Sequence, residues 1–375
     1  MEESMMNLSK EQMQISELLK AGLWGIKPDT TLFAVGEADW LALLKLARQQ
    51  ACIGVAYDGM LTLPKELQPT RALFLQWSSL VAQIETDNEY LNERLREVVS
   101  LYREQGLSPA LLKGQGVAQH YPHPEHRQSG DIDLLVGEGF EKANDLLRTE
   151  SDCEGKETDK HIEFCWRGVT VENHRISARL SHPCANAFYQ KMADSWFPDK
   201  GVRISIGDFD VTVPPHEFNA AFLLVHALEH LFSSGLGMRQ VMDWVCLMQA
   251  THSCFDGKEY NRLLRKTGLT GMAKAFASIG VNFMELPTDS LPFDLNEKDK
   301  KIGQKLLRRI WTDGNFGLYN KERTRPKDYW AGKWHTFTSS VSRCAELFSM
   351  APAEACCYPI RIAVNSAWEQ IKMRL

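Results

Sequence analysis

The feature that most constrains this chain is a pair of aspartates inside an apolar run. Asp131 and Asp133 lie in the segment DIDLLV, which otherwise has the composition of a buried strand. Side chains two residues apart in a strand point to the same face, so the two carboxylates are neighbours. Two like charges this close are unfavourable unless a cation lies between them. The segment therefore predicts a divalent-metal site at the end of a strand.

A glycine turn precedes the aspartate pair. The apolar run ALL is followed by Lys113, Gly114 and Gly116, where a helical pattern begins. Backbone N–H groups at such a turn can face an anionic phosphate, and Lys113 is a further cation for it. Arg127, four residues before the first aspartate, is a second candidate phosphate ligand. Both cations have a simpler alternative, which is solvated ion pairing with nearby acids.

A third acid is predicted to join the two aspartates. Alternation in the segment VTVENHRI puts Glu172 and His174 on the polar face of a strand that can neighbour DIDLLV. Three carboxylates with no cysteine and little histidine form a hard ligand set that selects Mg²⁺ or Mn²⁺ over zinc. Glu172 alone is also compatible with an ordinary solvent-facing acid. His174 fits either a partner of the metal ligands or polar surface, and we favour the surface interpretation.

The order of predicted elements indicates an α+β fold in three parts. Residues 1–106 are predicted to be helical, with Ser9 as a cap and Gly106 at the end of a long amphipathic helix. Residues 107–215 alternate short strands with helices, include a hairpin over HIEFCWRG and VTVENHRI, and predict a small mixed β-sheet. Residues 216–375 are helical again. We expect the small sheet to be the core of the fold, flanked by N-terminal and C-terminal helical regions.

Composition argues against several functional classes. A formal net charge of −5 disfavours binding of long nucleic acid by bulk electrostatics. The nine cysteines contain no C-x-x-C pair and lie among apolar neighbours, which predicts reduced and mostly buried thiols. No apolar signal segment opens the sequence, and the longest apolar run is too short to span a bilayer. We therefore expect a cytoplasmic protein with no membrane segment.

Two further patterns leave alternatives open. His226 and His230 are four residues apart on a predicted helix and share a face, which fits a buried or cleft-lining pair better than a zinc site without H-E-x-x-H. Arg239 and Asp243 have the same spacing and suit a structural ion pair. Residues 298–333 interleave cations with aromatic side chains. This stretch fits base or sugar stacking, or a solvated helix and an aromatic-anchored loop, which we favour.

The motifs resemble a known superfamily when they are taken together. The K-G turn, a tyrosine–proline loop, an arginine and G-D-I-D-L-L-V resemble the nucleotidyltransferases of DNA polymerase β-like fold, and among them a bacterial nucleotidyltransferase family. The resemblance covers about residues 85–250. The positions that match the glycine turn, the D-x-D and the third acid are Gly114, Asp131, Asp133 and Glu172. The positions that match a later helical region are His226, His230, Arg239 and Asp243.

The resemblance implies transfer of a nucleoside monophosphate from an NTP to an unidentified acceptor, a small molecule or a protein. It implies two-metal catalysis by Mg²⁺ or Mn²⁺. The implied catalytic and metal-binding residues are Asp131, Asp133 and Glu172. The implied nucleotide-binding residues are Lys113, Gly114, Gln115, Arg127 and Gly130. The implied acceptor pocket comprises His174, His226, His230, Arg239 and Asp243.

One residue departs from the superfamily pattern. Gln115 follows the turn glycine, where Ser or Gly is usual, so a hydroxyl contact to phosphate is not carried over. This departure keeps open a non-catalytic module that senses nucleotide or binds a partner. A more distant alternative is a metal-dependent hydrolase built on His226, His230 and Asp243.

Overall fold

The computed structural model describes residues 8–34, 36, 38–155, 157–319 and 328–372. Part of the basic aromatic stretch, residues 320–327, lies outside the described residues, as do the side chains of Tyr329, Trp330 and Trp334. Trp311, within that stretch, packs edge-on against Phe283.

The N-terminal region is helical, as predicted. Its helices are α1 (Lys10–Trp24), α2 (Trp40–Gln49), α3 (Ile53–Leu61) and α4 (Arg71–Glu104). Ser9 caps α1 through a reciprocal pair of hydrogen bonds with Gln12, which satisfies backbone donors that a helix start leaves free. Gly106, at φ +74°, follows the end of α4 in the left-handed conformation that glycine adopts without steric cost. Both capping predictions are confirmed.

A seven-stranded mixed sheet forms the centre of the fold. Its strands are β1 (Ala110–Leu112), β2 (Asp131–Leu135), β3 (Cys153–Glu154), β4 (His161–Trp166), β5 (Val169–His174), β6 (Val202–Ile206) and β7 (Phe209–Val213). Their order across the sheet is β3-β4-β5-β2-β1-β7-β6. β2 pairs antiparallel with β1 and parallel with β5, so the strand that carries the aspartates is internal. The predicted α+β fold is confirmed.

The remaining α-helices of the described residues lie between the strands or after them in the sequence. Three accompany the strands: α5 (Gly114–Ala118), α6 (Phe140–Arg148) and α7 (Pro183–Trp196). The others follow the last strand: α8 (His216–Ser233), α9 (Met238–Thr251), α10 (Gly257–Thr267), α11 (Thr270–Met284), α12 (Glu297–Asp313), α13 (Tyr329–Leu347) and α14 (Pro352–Lys372). Within the described residues, no helix combines the length and apolar character needed to cross a bilayer.

The register of the β4–β5 hairpin matters for the site. Arg167 and Gly168 connect the strands and both have positive φ, 47° and 76°, as in the tight turns that match the twist of a hairpin. This two-residue turn places His161 opposite His174. The parallel pairing of β5 with β2 places Glu172 opposite Asp133.

Two apolar clusters fill the interior. One lies between α4 and the sheet and includes Leu95 and Ile132. The other joins Ile15 of α1, Leu112 of β1 and Trp244 of α9, so both helical regions contribute to one core. The helical regions therefore support the sheet from a shared interior, and the predicted boundaries at residues 106 and 215 stay a prediction.

The cysteine prediction is wrong in two respects. Cys153 and Cys165 form a disulfide, because the antiparallel register of β3 and β4 puts them opposite each other with their Cα atoms 5.0 Å apart. Among the remaining cysteines, Cys184, Cys254 and Cys356 are exposed rather than buried. Scattered spacing along the sequence did not reveal the pair, since only the register of the strands brings it together.

Candidate active site

A cleft of about 460 Å³ lies between the sheet and the helices α8, α9 and α14. The sheet side contributes Asp131, Glu172 and the turn residue Gly114. The helical side contributes His226 and Asp243, among others. Residues from three separate parts of the sequence therefore line the same cleft.

Three carboxylates converge on the sheet side of the cleft. Asp131, Asp133 and Glu172 each offer an oxygen within 4.8 Å of the others. Asp131 and Asp133 share a face of β2, and Glu172 lies directly opposite Asp133 on β5. Asp133 is fully buried, and its Oδ2 has no hydrogen-bond partner among the described residues. Alternation of side chains along the two strands predicts that these three groups lie together, and they do.

Lys113 neutralises part of this negative charge. Its Nζ lies 2.9 Å from Asp133 Oδ1 and 3.2 Å from Asp131 Oδ2. Burial opposes the charged form of Lys113, but the carboxylates of Asp133, Asp131 and Glu172 outweigh it and raise the pKa of the ammonium. Lys113 and Gly114 form the turn after β1, and both have positive φ, 34° and 51°. Of the two alternatives for Lys113, the structure shows ion pairing, with the lysine side chain only 15% exposed.

The surface interpretation of His174 is wrong. Its side chain is buried, and Nε2 lies 3.1 Å from Asp133 Oδ1 and 3.2 Å from Glu172 Oε2. Burial alone would raise the pKa of the Glu172 carboxyl, but the bond from His174 and the charge of Lys113 lower it to about 2. His174 faces the carboxylates because it lies two residues after Glu172 in the same strand, and the two therefore share a face.

Two neutral histidines form part of the helical wall. His226 and His230 of α8 line the cleft with their Nε2 atoms 3.0 Å apart, and His230 Nδ1 contacts Ser234. Burial lowers the pKa of both, that of His230 to about 4. Uncharged imidazoles at neutral pH can donate one hydrogen bond and accept another without adding charge to the cleft.

Asp243 is held by groups from outside its own helix. Arg127 Nε and Nη2 donate to its two carboxylate oxygens at 2.7 and 2.8 Å, and the Tyr121 hydroxyl donates at 2.7 Å. Burial would raise the pKa of Asp243, but the charge of Arg127 outweighs it and lowers that pKa. Arg239, the residue predicted to pair with Asp243, donates through Nη1 to the backbone oxygen of Gln128 at 2.6 Å. Arg127 and Arg239 thus both fix the loop that leads into β2.

Gln115 contributes to the same loop from the opposite side. Its Nε2 lies 3.2 Å from the backbone oxygen and from Oδ1 of Asn88, and its Oε1 accepts from Ser129 at 2.9 Å. Gln115 is buried and does not line the cleft, whereas Gly130 and Ser129 do. The structure therefore places the Gln115 side chain behind the loop that borders the cleft.

Several residues that line the cleft were not predicted from the sequence. Lys160 and Glu229 form an ion pair of 2.9 Å between the start of β4 and α8. Tyr358 and Arg361 reach the cleft from α14, far along the chain. His161 faces His174, with ring centroids 4.8 Å apart. Only His161 had a usable signal, because the Arg-Gly turn fixes the register of its hairpin.

The donor set suits a divalent cation. The three carboxylates supply hard oxygen ligands, and Oδ2 of Asp133 is a buried acceptor for which the described residues provide no donor. In the described residues the metal-capable groups are this set and a second one with His161, His174 and Glu172. The residues fit the ion that the resemblance implies.

Comparison with known proteins agrees with this chemistry. No curated protein matches the chain in sequence. A family model described as an uncharacterised nucleotidyltransferase matches residues 36–280, about two thirds of the chain. The matched range includes the sheet, the three carboxylates and the first helices of the cleft wall. The chain belongs to this family of nucleotidyltransferases.

Proposed function

We propose that this protein transfers a nucleoside monophosphate from an NTP to an acceptor and releases pyrophosphate, with Mg²⁺ or Mn²⁺ bound by Asp131, Asp133 and Glu172. The observation that carries the proposal is the convergence of these three carboxylates beside a cleft in a chain of the nucleotidyltransferase family. As in the polymerase β-like superfamily, hard cations at such a site bind the phosphates of the nucleotide and stabilise the charge that develops during transfer.

The nucleotide would be bound where the glycine turn meets the cleft. Gly114 and Gly130 line it without side chains that block an approaching phosphate. Lys113, whose ammonium lies against Asp131 and Asp133, supplies a positive charge next to the metal ligands. Arg127 lines the cleft while its guanidinium is engaged with Asp243. Gln115 acts behind the loop, through Ser129.

The acceptor would lie against the helical wall. Neutral His226 and His230 can exchange a proton with an acceptor hydroxyl or amine, and Arg239 and Asp243 border the same volume. His174 would act from beneath, by holding the oxygens of its two acidic neighbours. The net charge of −5 favours a small molecule or a protein as acceptor over long nucleic acid. A cytoplasmic location is part of the same proposal.

Labelled NTP, a divalent ion and extracts of metabolites or proteins provide the test. The wild-type protein should transfer label to an acceptor that mass spectrometry identifies. Asp131→Asn should lower the rate roughly 100-fold or more, because loss of a residue that only supports metal ligands already costs about 10–100-fold. The matched control is Asp208→Asn at a surface ion pair, which should transfer as the wild type does. Full activity in Asp131→Asn would refute the assignment.

A second candidate is a non-catalytic module that senses nucleotide. The observation that favours it is the Lys113 ammonium, which compensates Asp131 and Asp133 without a metal. Calorimetry with a non-hydrolysable NTP separates the two functions. Binding that needs Mg²⁺ supports the enzyme, whereas equal affinity with and without Mg²⁺, together with no transfer to any acceptor, supports the sensor.

A further inference from the structure

A second set of metal-ligating atoms lies beside the carboxylates and involves two histidines. His161 Nδ1 is 3.6 Å from Glu172 Oε2, and His174 Nε2 is 3.2 Å from the same oxygen. All three ligand atoms lie within 4.8 Å of one another. Asp131 is not a member of this set, so the two sets share only Glu172.

These separations suit coordination by a single ion. Two ligand atoms about 2.1 Å from a tetrahedral ion are about 3.4 Å apart, and the two measured separations bracket that value. His161 Nδ1 is buried and has no hydrogen-bond partner among the described residues. A buried nitrogen without a partner is costly, and a metal ion would satisfy it.

The backbone presents both imidazoles in advance. His161 and His174 face each other across an antiparallel pair, and Arg167 and Gly168 fix that register in the intervening turn. Glu172 lies on the same face of β5, two residues before His174. Ligands carried by paired strands are positioned more precisely than ligands on loops.

We propose that His161, His174 and Glu172 bind a divalent first-row transition ion, at a site distinct from the one that the three carboxylates form for Mg²⁺. Imidazole nitrogen binds Zn²⁺, Co²⁺ and Fe²⁺ well, whereas Mg²⁺ and Mn²⁺ prefer oxygen ligands. The inference rests on the proposed function only in that Glu172 belongs to both sets. Ligation through His174 Nε2 would replace its hydrogen bonds to Asp133 and Glu172. The chain would then bind transition ions as well as Mg²⁺.

Cobalt is the probe, because its visible absorption reports nitrogen ligands directly. The full chain, freed of metal with a chelator and without nucleotide, should bind one Co²⁺ that excess Mg²⁺ does not displace. His161→Ala should weaken Co²⁺ binding at least about 10-fold, the lower end of what supporting residues of a metal site cost. The control His123→Ala, at an exposed histidine outside the cleft, should bind Co²⁺ as the wild type does.

Asp131→Asn separates this site from the carboxylate site. It should keep its Co²⁺ affinity within about threefold, because Asp131 is outside the histidine set. Pulsed electron paramagnetic resonance of Co²⁺ bound to the wild type in excess Mg²⁺ keeps the inference testable if His161→Ala does not fold. Modulation from a coordinated imidazole nitrogen supports the site.

Two results would overturn the inference. One is Co²⁺ binding that is unchanged in His161→Ala, and the other is a Co²⁺ resonance signal without nitrogen coupling in the presence of excess Mg²⁺. Either result leaves nucleotidyl transfer by the carboxylate site untouched, since that activity is judged by Asp131→Asn and its surface control. Conversely, loss of transfer activity alone does not affect the cobalt measurement, which needs no nucleotide.

Discussion

Asp133 and Asp243 are both buried aspartates at the same cleft, yet their surroundings differ. Both oxygens of Asp243 are used, by Arg127 and by the Tyr121 hydroxyl. Asp133 Oδ1 meets Lys113 and His174, but Oδ2 has no partner among the described residues. The first carboxylate completes a closed network, and the second keeps coordinating capacity.

The difference in partners indicates a structural role for Asp243 and a ligand-binding role for Asp133. A buried charge that is fully paired contributes to holding two elements together, and removing its partner leaves the other charge uncompensated. Here Asp243 joins helix α9 to the loop before β2 through Arg127. A buried carboxylate with a free oxygen is instead poised for a cation. Of the acidic residues predicted for the site, we therefore expect Asp243 to affect it indirectly, by holding the loop before β2.

The largest expected effect tests this difference through the free energy of unfolding. Asp243→Ala should destabilise the protein by about 3–5 kcal/mol, because it leaves the buried Arg127 guanidinium unpaired. Asp131→Asn should change stability by less than about 1 kcal/mol, since its side chain is partly exposed and Lys113 keeps Asp133 as a partner. Urea unfolding of both variants measures the two values. Equal losses would show that the two regions do not differ in role.

The second prediction concerns acid pH. Glu172 has a pKa lowered to about 2 from its ordinary value of 4.5. A carboxyl whose pKa is lower in the folded state stabilises the protein above the unfolded-state pKa. That contribution is lost as pH falls from about 4.5 to 2. Glu172→Gln should therefore lose less stability than the wild type over this window.

Thermal unfolding at several pH values measures the contrast. Glu66→Gln, at an exposed position outside the cleft, is the matched control and should follow the wild-type profile. A Glu172→Gln profile parallel to that of the wild type would mean that the cleft carboxylates do not interact as the structure shows.

The fold was predictable wherever one periodicity dominated. The alternation in VTVENHRI and the D-x-D spacing fixed which side chains share a face, and the register of β5 with β2 brought Glu172 opposite Asp133. Capping residues such as Ser9 signal helix ends locally, so their positions were recoverable as well. Local rules therefore sufficed for the three carboxylates on the sheet side of the site.

The rest of the site depended on contacts between distant segments. The pairing of Arg127 with Asp243 spans 116 residues, and Tyr358 approaches from the last helix. The Cys153–Cys165 disulfide likewise follows from strand register rather than from spacing. His174 was assigned to the surface because alternation gives the face of a side chain but not what covers that face. Whether a face of the sheet is covered depends on how helices pack on it, and no short sequence pattern encodes that packing.

The smallest expected effect concerns Gln115. This residue supports the loop from behind and does not line the cleft that the loop borders. Gln115→Ala removes bonds to Asn88 and Ser129 and should cost about 1–2 kcal/mol of stability. Because the side chain lies behind the loop, the affinity for NTP and Mg²⁺ should change less than about threefold, or about 0.7 kcal/mol. Calorimetric titration and urea unfolding of the same samples measure both quantities.

Gln115→Ser is the informative companion, since it restores the hydroxyl usual in the superfamily. If the loop position determines the role of this residue, Gln115→Ser should bind NTP no more tightly than Gln115→Ala, because its hydroxyl would also lie behind the loop. Tighter NTP binding by Gln115→Ser alone would show that the position reaches the phosphates. The departure at Gln115 would then mark a weakened nucleotide site rather than a different way of holding the loop.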